Sequence, residues 1–493
     1  MKHIAVKHLI SKSSFIKGIQ CDKQLYLYKY HYDWMDEVSE SQQLIFDRGH
    51  DVGELAQKLF PGGIKATEDP KKPSQAIQIT NELIESGAKV IYEAAFGFDE
   101  VLVIADIIVW DGKQWNIYEV KSSTKISDTY YLDAAIQYYV ISNCLNVNDI
   151  SIIYINNQYV RNGELELAKL FNIESVKDNV SKQQDFIISE LRRLKKVLEG
   201  KEIPEIDIGP QCSDPYQCSF WGYCWKNIPD YSIFNIAGLK GEKKFELYGS
   251  GYIKLEDVPE DYPLSQSQRI QIDSHIRNTS VIDKDKISEF LTSINYPVYY
   301  MDFETFMPAI PMFDRTRPYQ QIPFQYSLHY QKNPKSKVEH FEFLADAEGD
   351  PREPFLKKLL NDTDGPGIIL VYNKAFEITR LKELATDFPK YAKAVDERIG
   401  RIVDLMLPFQ KKYYYMPEMK GLYSIKSVLP ALVPVLSYEG MAIADGGTAS
   451  AAFESLYYEE DIFKVEEIRK NLLRYCGMDT MAMVEILNVL RGL

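Results

Sequence analysis

Two short segments constrain this 493-residue chain more than any others. Each reads as a buried strand, and each carries two charged residues spaced two apart. In Trp115-Asn116-Ile117-Tyr118-Glu119-Val120-Lys121, the pair is Glu119 and Lys121. In Val298-Tyr299-Tyr300-Met301-Asp302-Phe303-Glu304, it is Asp302 and Glu304. Side chains alternate across a strand, so residues two apart point the same way. Burying charge is costly unless it is paired or holds a cation. Any fold adopted by this chain has to bring compensating groups to both places.

The surrounding pattern is α/β. Residues 8–60 read as helices, and Pro61-Gly62-Gly63 ends the last of them. Residues 89–96, 101–110 and 115–121 read as strands of one sheet, with Asp111-Gly112 as a hairpin signal between the last two. A helix follows over 130–144. Residues 226–290 are more polar, with scattered apolar positions, and read as a partly helical connector. A second α/β block opens at Tyr296. Residues 324–330 are the expected hairpin partner of its first strand, and residues 368–372 are a third strand. Helices dominate from there to Leu493. The expected domains are 1–225, a connector over 226–290, and 291–493. The two blocks do not resemble one another.

Asp106 sits inside the apolar strand before Glu119, so the 111–112 hairpin brings the two carboxylates together. Two carboxylates at one spot repel unless a cation holds them. A divalent metal on Asp106 and Glu119, with Lys121 beside it, suits phosphodiester hydrolysis. Lys121 then orients water or stabilises the transition state. The plainer reading is a buried Glu–Lys pair with Asp106 near a turn. Asp106, a hairpin, then Glu119-Val120-Lys121 resembles the PD-(D/E)XK nucleases, and among them the RecB-like and CRISPR-associated exonuclease branch. The resemblance implies a restriction-endonuclease-like core and a catalytic role for Lys121. It matches Gln137 to the branch's glutamine motif, although Ile141 stands where an aromatic residue is usual. It matches His50 to a metal-binding histidine on an early helix. For both, an exposed helical residue without a role is the competing reading.

Cys212, Cys218 and Cys224 hold half of the six cysteines in one short segment. Three thiolates need a fourth ligand for a tetrahedral or cubane site, and Cys21 is the candidate. The RecB-like exonucleases also have one cysteine before the nuclease core and three after it. That resemblance implies a [4Fe–4S] cluster on Cys21, Cys212, Cys218 and Cys224. The spacing departs from that branch's commonest form, which keeps zinc as the alternative. Cys144 and Cys476 read as buried small hydrophobes.

In the second block a two-metal site explains Asp302 and Glu304. Tyr475 and Asp479, four apart on a helix, face one way. Glu377 falls just after a strand. Together these resemble the DEDD exonucleases of the ribonuclease H-like fold. The resemblance implies that Asp302, Glu304, Glu377 and Asp479 hold Mg²⁺ or Mn²⁺ and that Tyr475 positions or activates the attacking water. Glu377 replaces the usual aspartate. Residues 421–430 also resemble that group and are a substrate-contact candidate, with an ordinary loop entering a helix as the alternative. For Asp404 the sequence favours a structural role. The fused layout resembles an uncharacterised bacterial family.

The composition bears on partners. Lys and Arg number 57 against 71 Asp and Glu, a formal charge of −14. That excludes a protein gripping nucleic acid over its whole surface by counterion release, but leaves room for a local groove or a metal-mediated site. Six cysteines are too few for a disulfide scaffold. No apolar core follows Met1-Lys2-His3, and no run of 18 apolar residues occurs, so the expectation is a soluble cytoplasmic protein without a membrane partner. The two resemblances together imply a metal-dependent exonuclease acting on DNA, with RNA as a second candidate, in repair, CRISPR spacer processing or antiviral defence. The rivals are a non-catalytic binding or scaffold protein on nuclease folds, and a protein in which one of the two sites works.

Overall fold

The computed structural model describes residues 9–66 and 72–493. Residues 1–8, where a leader peptide was sought, lie outside the described residues, as do residues 67–71. The chain is mixed α/β and divides into two compact units. The first comprises residues 1–227 with 309–318, and the second residues 228–308 with 319–493. Among the described residues no helix is long and apolar enough to cross a membrane.

The first unit is built on a seven-stranded sheet. Its strands are β1 (Ile10–Ser11), β2 (Ile64–Lys65), β3 (Val90–Phe98), β4 (Val101–Trp110), β5 (Trp115–Lys121), β6 (Val147–Ile155) and β7 (Phe171–Ser175). The order is β2-β3-β4-β5-β6-β7, with β1 pairing beside β4. Strands β3, β4 and β5 run as an antiparallel meander, and β5 and β6 are parallel. The Asp111 carboxylate closes the β4–β5 turn by accepting from the amides of Lys113 and Gln114, each at 2.8 Å. A parallel pair needs a crossover. The helices are α1 (Lys12–Gln20), α2 (Asp22–Tyr30), α3 (Glu40–Gln57), α4 (Pro73–Glu85) and α5 (Asp128–Ser142). The crossover is α5, whose Ala134, Ala135, Ile136 and Val140 join the core formed by Ile108, Ile117 and Ile150.

The second unit carries β8 (Val281–Ile282), β9 (Val298–Phe306), β10 (Ile322–Gln331), β11 (Glu339–Leu344), β12 (Ile368–Val371), β13 (Ile402–Asp404) and β14 (Tyr414–Tyr415). Five of these form a sheet of order β11-β10-β9-β12-β13. Strand β9 is central, antiparallel to β10 and parallel to β12. The pair β8–β14 stands separately.

Residues 226–290 are not a linker. From Ile228 onward they belong to the second unit. They form three helices, Gly241–Gly249, Gln266–Arg277 and Lys284–Leu291, and Ile233, Ile236, Leu247, Leu255 and Ile272 close a core of their own. The elements are too short for a clear period, so the apolar positions look scattered in sequence. Residues 309–318 group with the first unit, where the Arg161 guanidinium donates to the carbonyls of Pro311 at 3.0 Å and Met312 at 2.9 Å.

Candidate metal centres and a cysteine cluster

In the first unit the register builds a row of carboxylates. Ile107 faces Tyr118 and Ile108 faces Ile117, so the next step sets Asp106 opposite Glu119. On the other side Tyr92 faces Ile107 and Ala94 faces Ala105, which sets Glu93 opposite Asp106. Glu93 has φ +52°, the left-handed region that a non-glycine residue rarely adopts inside a strand. Asp106 accepts from the Val120 amide at 2.6 Å. Burial, then the charge of Glu119, pushes Asp106 well above the usual carboxylate range. Burial likewise raises Glu93.

Glu119 differs, because cations surround it. It is buried, which alone would raise its pKa, but Lys12 and Lys121 hold it below the usual range. Both ammonium groups donate to Glu119 Oε1 at 2.7 Å, and the Gln137 amide donates to Oε2 at 2.7 Å. Lys121 also pairs with Asp133. Against the desolvation that burial imposes, Asp133 and Glu119 keep Lys121 charged. Gln137 is fully buried, and its Oε1 has no hydrogen-bond partner. The structure thus brings Asp106, Glu119, Lys121 and Gln137 together. It sets His50 on an exposed face of α3, with its ring 3.3 Å from Glu54.

In the second unit Asp302 and Glu304 lie on central strand β9, and the C-terminal helix Ile462–Arg491 presents Tyr475 and Asp479 to them. Ligand atoms of Asp302, Glu304 and Cys476 lie within 4.8 Å of one another. Glu377 sits in the first turn of the helix Lys374–Asp387, 1% exposed, with its Oε2 buried and unpartnered. Burial and then Asp302 push Glu377 up; burial and then Asp479 push Asp302 up. Burial, then Asp302, raises Glu304. Asp479 is pushed up to about 6 by burial, opposed chiefly by the Tyr438 hydrogen bond and then by the Lys426 charge. The Tyr438 hydroxyl donates to Asp479 Oδ1 at 2.5 Å. Burial, then Asp479, Glu304 and Asp302, keeps the Tyr475 phenol protonated. Asp404 accepts from the amides of Asn373 at 3.0 Å, Lys374 at 3.1 Å and Met406 at 3.0 Å, so its carboxylate secures the backbone at the start of the Glu377 helix.

Cys21, Cys212, Cys218 and Cys224 line one small enclosed cavity. Cys21 ends α1, and the Cys218 amide donates to the Cys212 carbonyl at 2.8 Å. Burial pushes the Cys218 thiol up to about 12 and raises Cys21 and Cys224. All four are free thiols. Cys476 is buried as expected, but Cys144 is exposed. It lies past the end of α5, in the turn before β6 and outside the helix that packs on the sheet.

Several site residues were missed in the sequence. Asp133 had a usable signal, being four residues before Gln137 on one helix. Lys12 and Tyr438 had none, because each reaches its acid from a segment distant in sequence. Lys426 lies inside the 421–430 motif; its ammonium stands 4.9 Å from the Tyr475 ring centroid and 5.7 Å from that of Tyr438.

Residues 299–424 match a domain of unknown function, DUF2779. That stretch contains Asp302, Glu304 and Glu377. Three curated relatives are similar to the chain, and all are uncharacterised proteins. The one from Ureaplasma parvum is 27% identical over 210 residues, covering 38% of this chain and 30% of that protein. The one from Mycoplasma pneumoniae is 23% identical over 402 residues, covering 69% and 59%. The one from Mycoplasma genitalium is 25% identical over 214 residues, covering 39% and 32%. The chain therefore spans between 30% and 59% of the length of these relatives.

Proposed function

We propose that the protein is a metal-dependent nuclease with two candidate sites, one on a PD-(D/E)XK core and one on a ribonuclease H-like core, hydrolysing DNA with RNA as the second candidate. The observation that carries the reading is the acid cluster of the second unit. Glu304, Glu377 and Asp479 are buried and Asp302 is half-buried, all four are pushed up in pKa, and one Glu377 oxygen has no partner. Such a set is unfavourable without a cation and suits one or two Mg²⁺ or Mn²⁺ ions. The sheet order β11-β10-β9-β12-β13, an antiparallel meander extended by two parallel strands, supports the ribonuclease H-like reading. The meander carrying Asp106 and Glu119, with Gln137 on the next helix, supports the PD-(D/E)XK reading.

A divalent cation in these sites supplies a Lewis acid for the phosphoryl oxygen and lowers the pKa of water. The protein's own groups do the rest. Without metal, burial and the neighbouring acids keep Tyr475 protonated, which suits it to orient the attacking water as a donor. Lys426, beside Tyr475 and Tyr438, is placed to offset charge developing on phosphate. In the first site Lys121 stays an ammonium and plays the corresponding part. Water oxygen bonds to phosphorus and releases one proton to solvent, the bond to the departing sugar oxygen breaks, and that oxygen takes up a proton from solvent. Four thiols lining one cavity fit a [4Fe–4S] cluster, with zinc as the alternative.

A second reading, in which only the second site hydrolyses, rests on the two lysines that already neutralise Glu119. Glu119→Ala and Asp302→Ala, assayed separately with Mn²⁺ on end-labelled DNA and RNA, distinguish the two. Loss of one activity in each variant is expected. Full activity in the double variant overturns the site assignment, and no cleavage by the unaltered protein favours a binding or scaffold role.

A further inference from the structure

Beside the Asp106 and Glu119 site, the first unit has a cavity of about 290 Å³. Its wall includes Lys12, Lys17, Lys121, Tyr130, Tyr216 and Gln217. Asp133 is also on the wall but is paired with Lys121. The Lys121 ammonium stands 5.1 Å from the Tyr130 ring centroid, so this ring borders the residue expected to act on phosphate. Tyr216 is 50% exposed. An exposed tyrosine alone needs no explanation. This one is held in place: the Gln20 side-chain amide donates to the Tyr216 and Gln211 carbonyls, each at 2.7 Å.

The cavity wall and the cysteine cluster are made of adjacent residues. Gln20 precedes Cys21, Gln211 precedes Cys212, and Tyr216 and Gln217 precede Cys218. The cysteine loop therefore does more than fasten the ends of the unit. It sets Tyr216 on the wall of the cavity that Tyr130 and Lys121 also line. Ammonium groups, two aromatic faces and side-chain amides are the groups that recognise a single-stranded nucleotide through its phosphate, its base face and its base edge. The volume suits about one nucleotide, at the lower end of the range for small-ligand pockets.

Building on the nuclease reading of the first site, we propose that Tyr216 and Tyr130 clamp the terminal base of a single strand, with Lys17 and Lys12 on its phosphate. The substrate of this site is then a single-stranded end, and the cysteine cluster governs its binding by fixing Tyr216. Stacking on an aromatic ring contributes about ten- to hundredfold in affinity per base.

The test measures binding by the full-length protein, by anisotropy of a fluorescein-labelled oligothymidylate and of an abasic strand of equal length. Ca²⁺ replaces Mg²⁺ to suppress cleavage. The protein should prefer the oligothymidylate. Tyr216→Ala with its iron content unchanged should lose about tenfold or more of that affinity and bind both strands alike, whereas Tyr216→Phe should keep the preference. Cys218→Ser should behave as Tyr216→Ala. A 5-iodouracil at the strand end should photo-crosslink to Tyr216 or Tyr130. The clamp is overturned if Tyr216→Ala keeps the preference, if it weakens both strands equally, or if the crosslink maps elsewhere. Failure of the unaltered protein to bind any strand overturns the nuclease reading of this site itself.

Discussion

Glu377 lies within electrostatic reach of Asp302, with Glu377 Oε2 buried and without a hydrogen-bond partner. The two acids come from different elements, a strand and the first turn of a helix. Burial and then Asp302 raise the cost of ionising Glu377. A cation between them removes that cost, and a proton does so in its absence. The protein therefore stores an unfavourable charge arrangement that pH and metal relieve in competition.

This competition has a definite sign. Asp479 rises from its ordinary 3.8 to about 6, and Asp302, Glu304 and Glu377 also rise. A raised carboxylate stabilises the fold while it is protonated. That contribution is complete below the unfolded value and is lost as pH climbs through the folded one. Without metal, this cluster should weaken the fold between about pH 4 and pH 7. Mn²⁺ should raise the melting temperature more at pH 8 than at pH 5, because protons occupy the acids at pH 5. At a hundred times its dissociation constant the ion contributes about 2.7 kcal/mol. Asp302→Asn with Glu377→Gln should be more stable than the unaltered protein without metal and should lose this Mn²⁺ response. Calorimetry at the two pH values checks it; an equal Mn²⁺ shift at both would refute the cluster's role.

The Tyr438 hydroxyl donates to Asp479 Oδ1 at 2.5 Å, whereas Tyr475 feels the charges of Asp479 and Glu304. Tyr475→Phe should lower kcat about 10²-fold, the usual effect of removing one well-placed donor, with KM little changed. Tyr438→Phe should have a smaller effect on kcat, since its hydroxyl is occupied by Asp479 Oδ1. Single-turnover kinetics on end-labelled strands measure both. A larger loss in Tyr438→Phe would assign the water to that residue instead.

Much of this arrangement was legible because strand alternation and short turns are local rules. Glu119 with Lys121, Asp302 with Glu304, and Asp106 across a two-stranded turn all follow from spacing of two and from one hairpin. Tyr475 and Asp479 follow from helical spacing. What could not be read was contact at long separation. Lys12 meets Glu119 across 107 residues of chain, and Tyr438 meets Asp479 across 41. Glu93 was equally hidden, because its place opposite Asp106 depends on the β3–β4 register. Residues 226–290 were expected to be a partly helical connector, and their shared core was hidden for a different reason. Each of their helices buries only a few apolar groups, and their common core exists only after they meet.

The cysteine cavity makes a separate prediction. Burial holds the thiols of Cys21, Cys218 and Cys224 protonated, so a bound metal group has to displace protons to form thiolates. Protein purified without oxygen should be brown, with about four iron and four sulfide per chain. Cys21→Ser should lose the colour and lower the melting temperature, because Cys21 joins α1 to α2 while its three partners lie in the 212–224 segment. Zinc without iron would replace the cluster assignment and keep the structural role. Neither metal would remove the site.

Lys12 occupies the oxygen of Glu119 that a divalent ion in the proposed first site would need. Its ammonium shares Glu119 Oε1 with Lys121 and lies 3.8 Å from Asp133. While Lys12 stays there, a divalent ion at Glu119 meets two positive charges instead of one. Lys12→Met removes one of them and keeps the apolar stem. The variant should bind Mn²⁺ at this site about tenfold more tightly, a difference of about 1.4 kcal/mol. It should lose about 1–3 kcal/mol of stability in the absence of metal, because Glu119 and Asp133 keep only Lys121 as a cation. Binding measured by Mn²⁺ paramagnetic resonance in an Asp302→Ala background isolates this site from the other. Unchanged affinity, with the stability loss alone, would mean that Lys12 serves only as a structural partner of Glu119 and would favour a protein that hydrolyses at its second site alone.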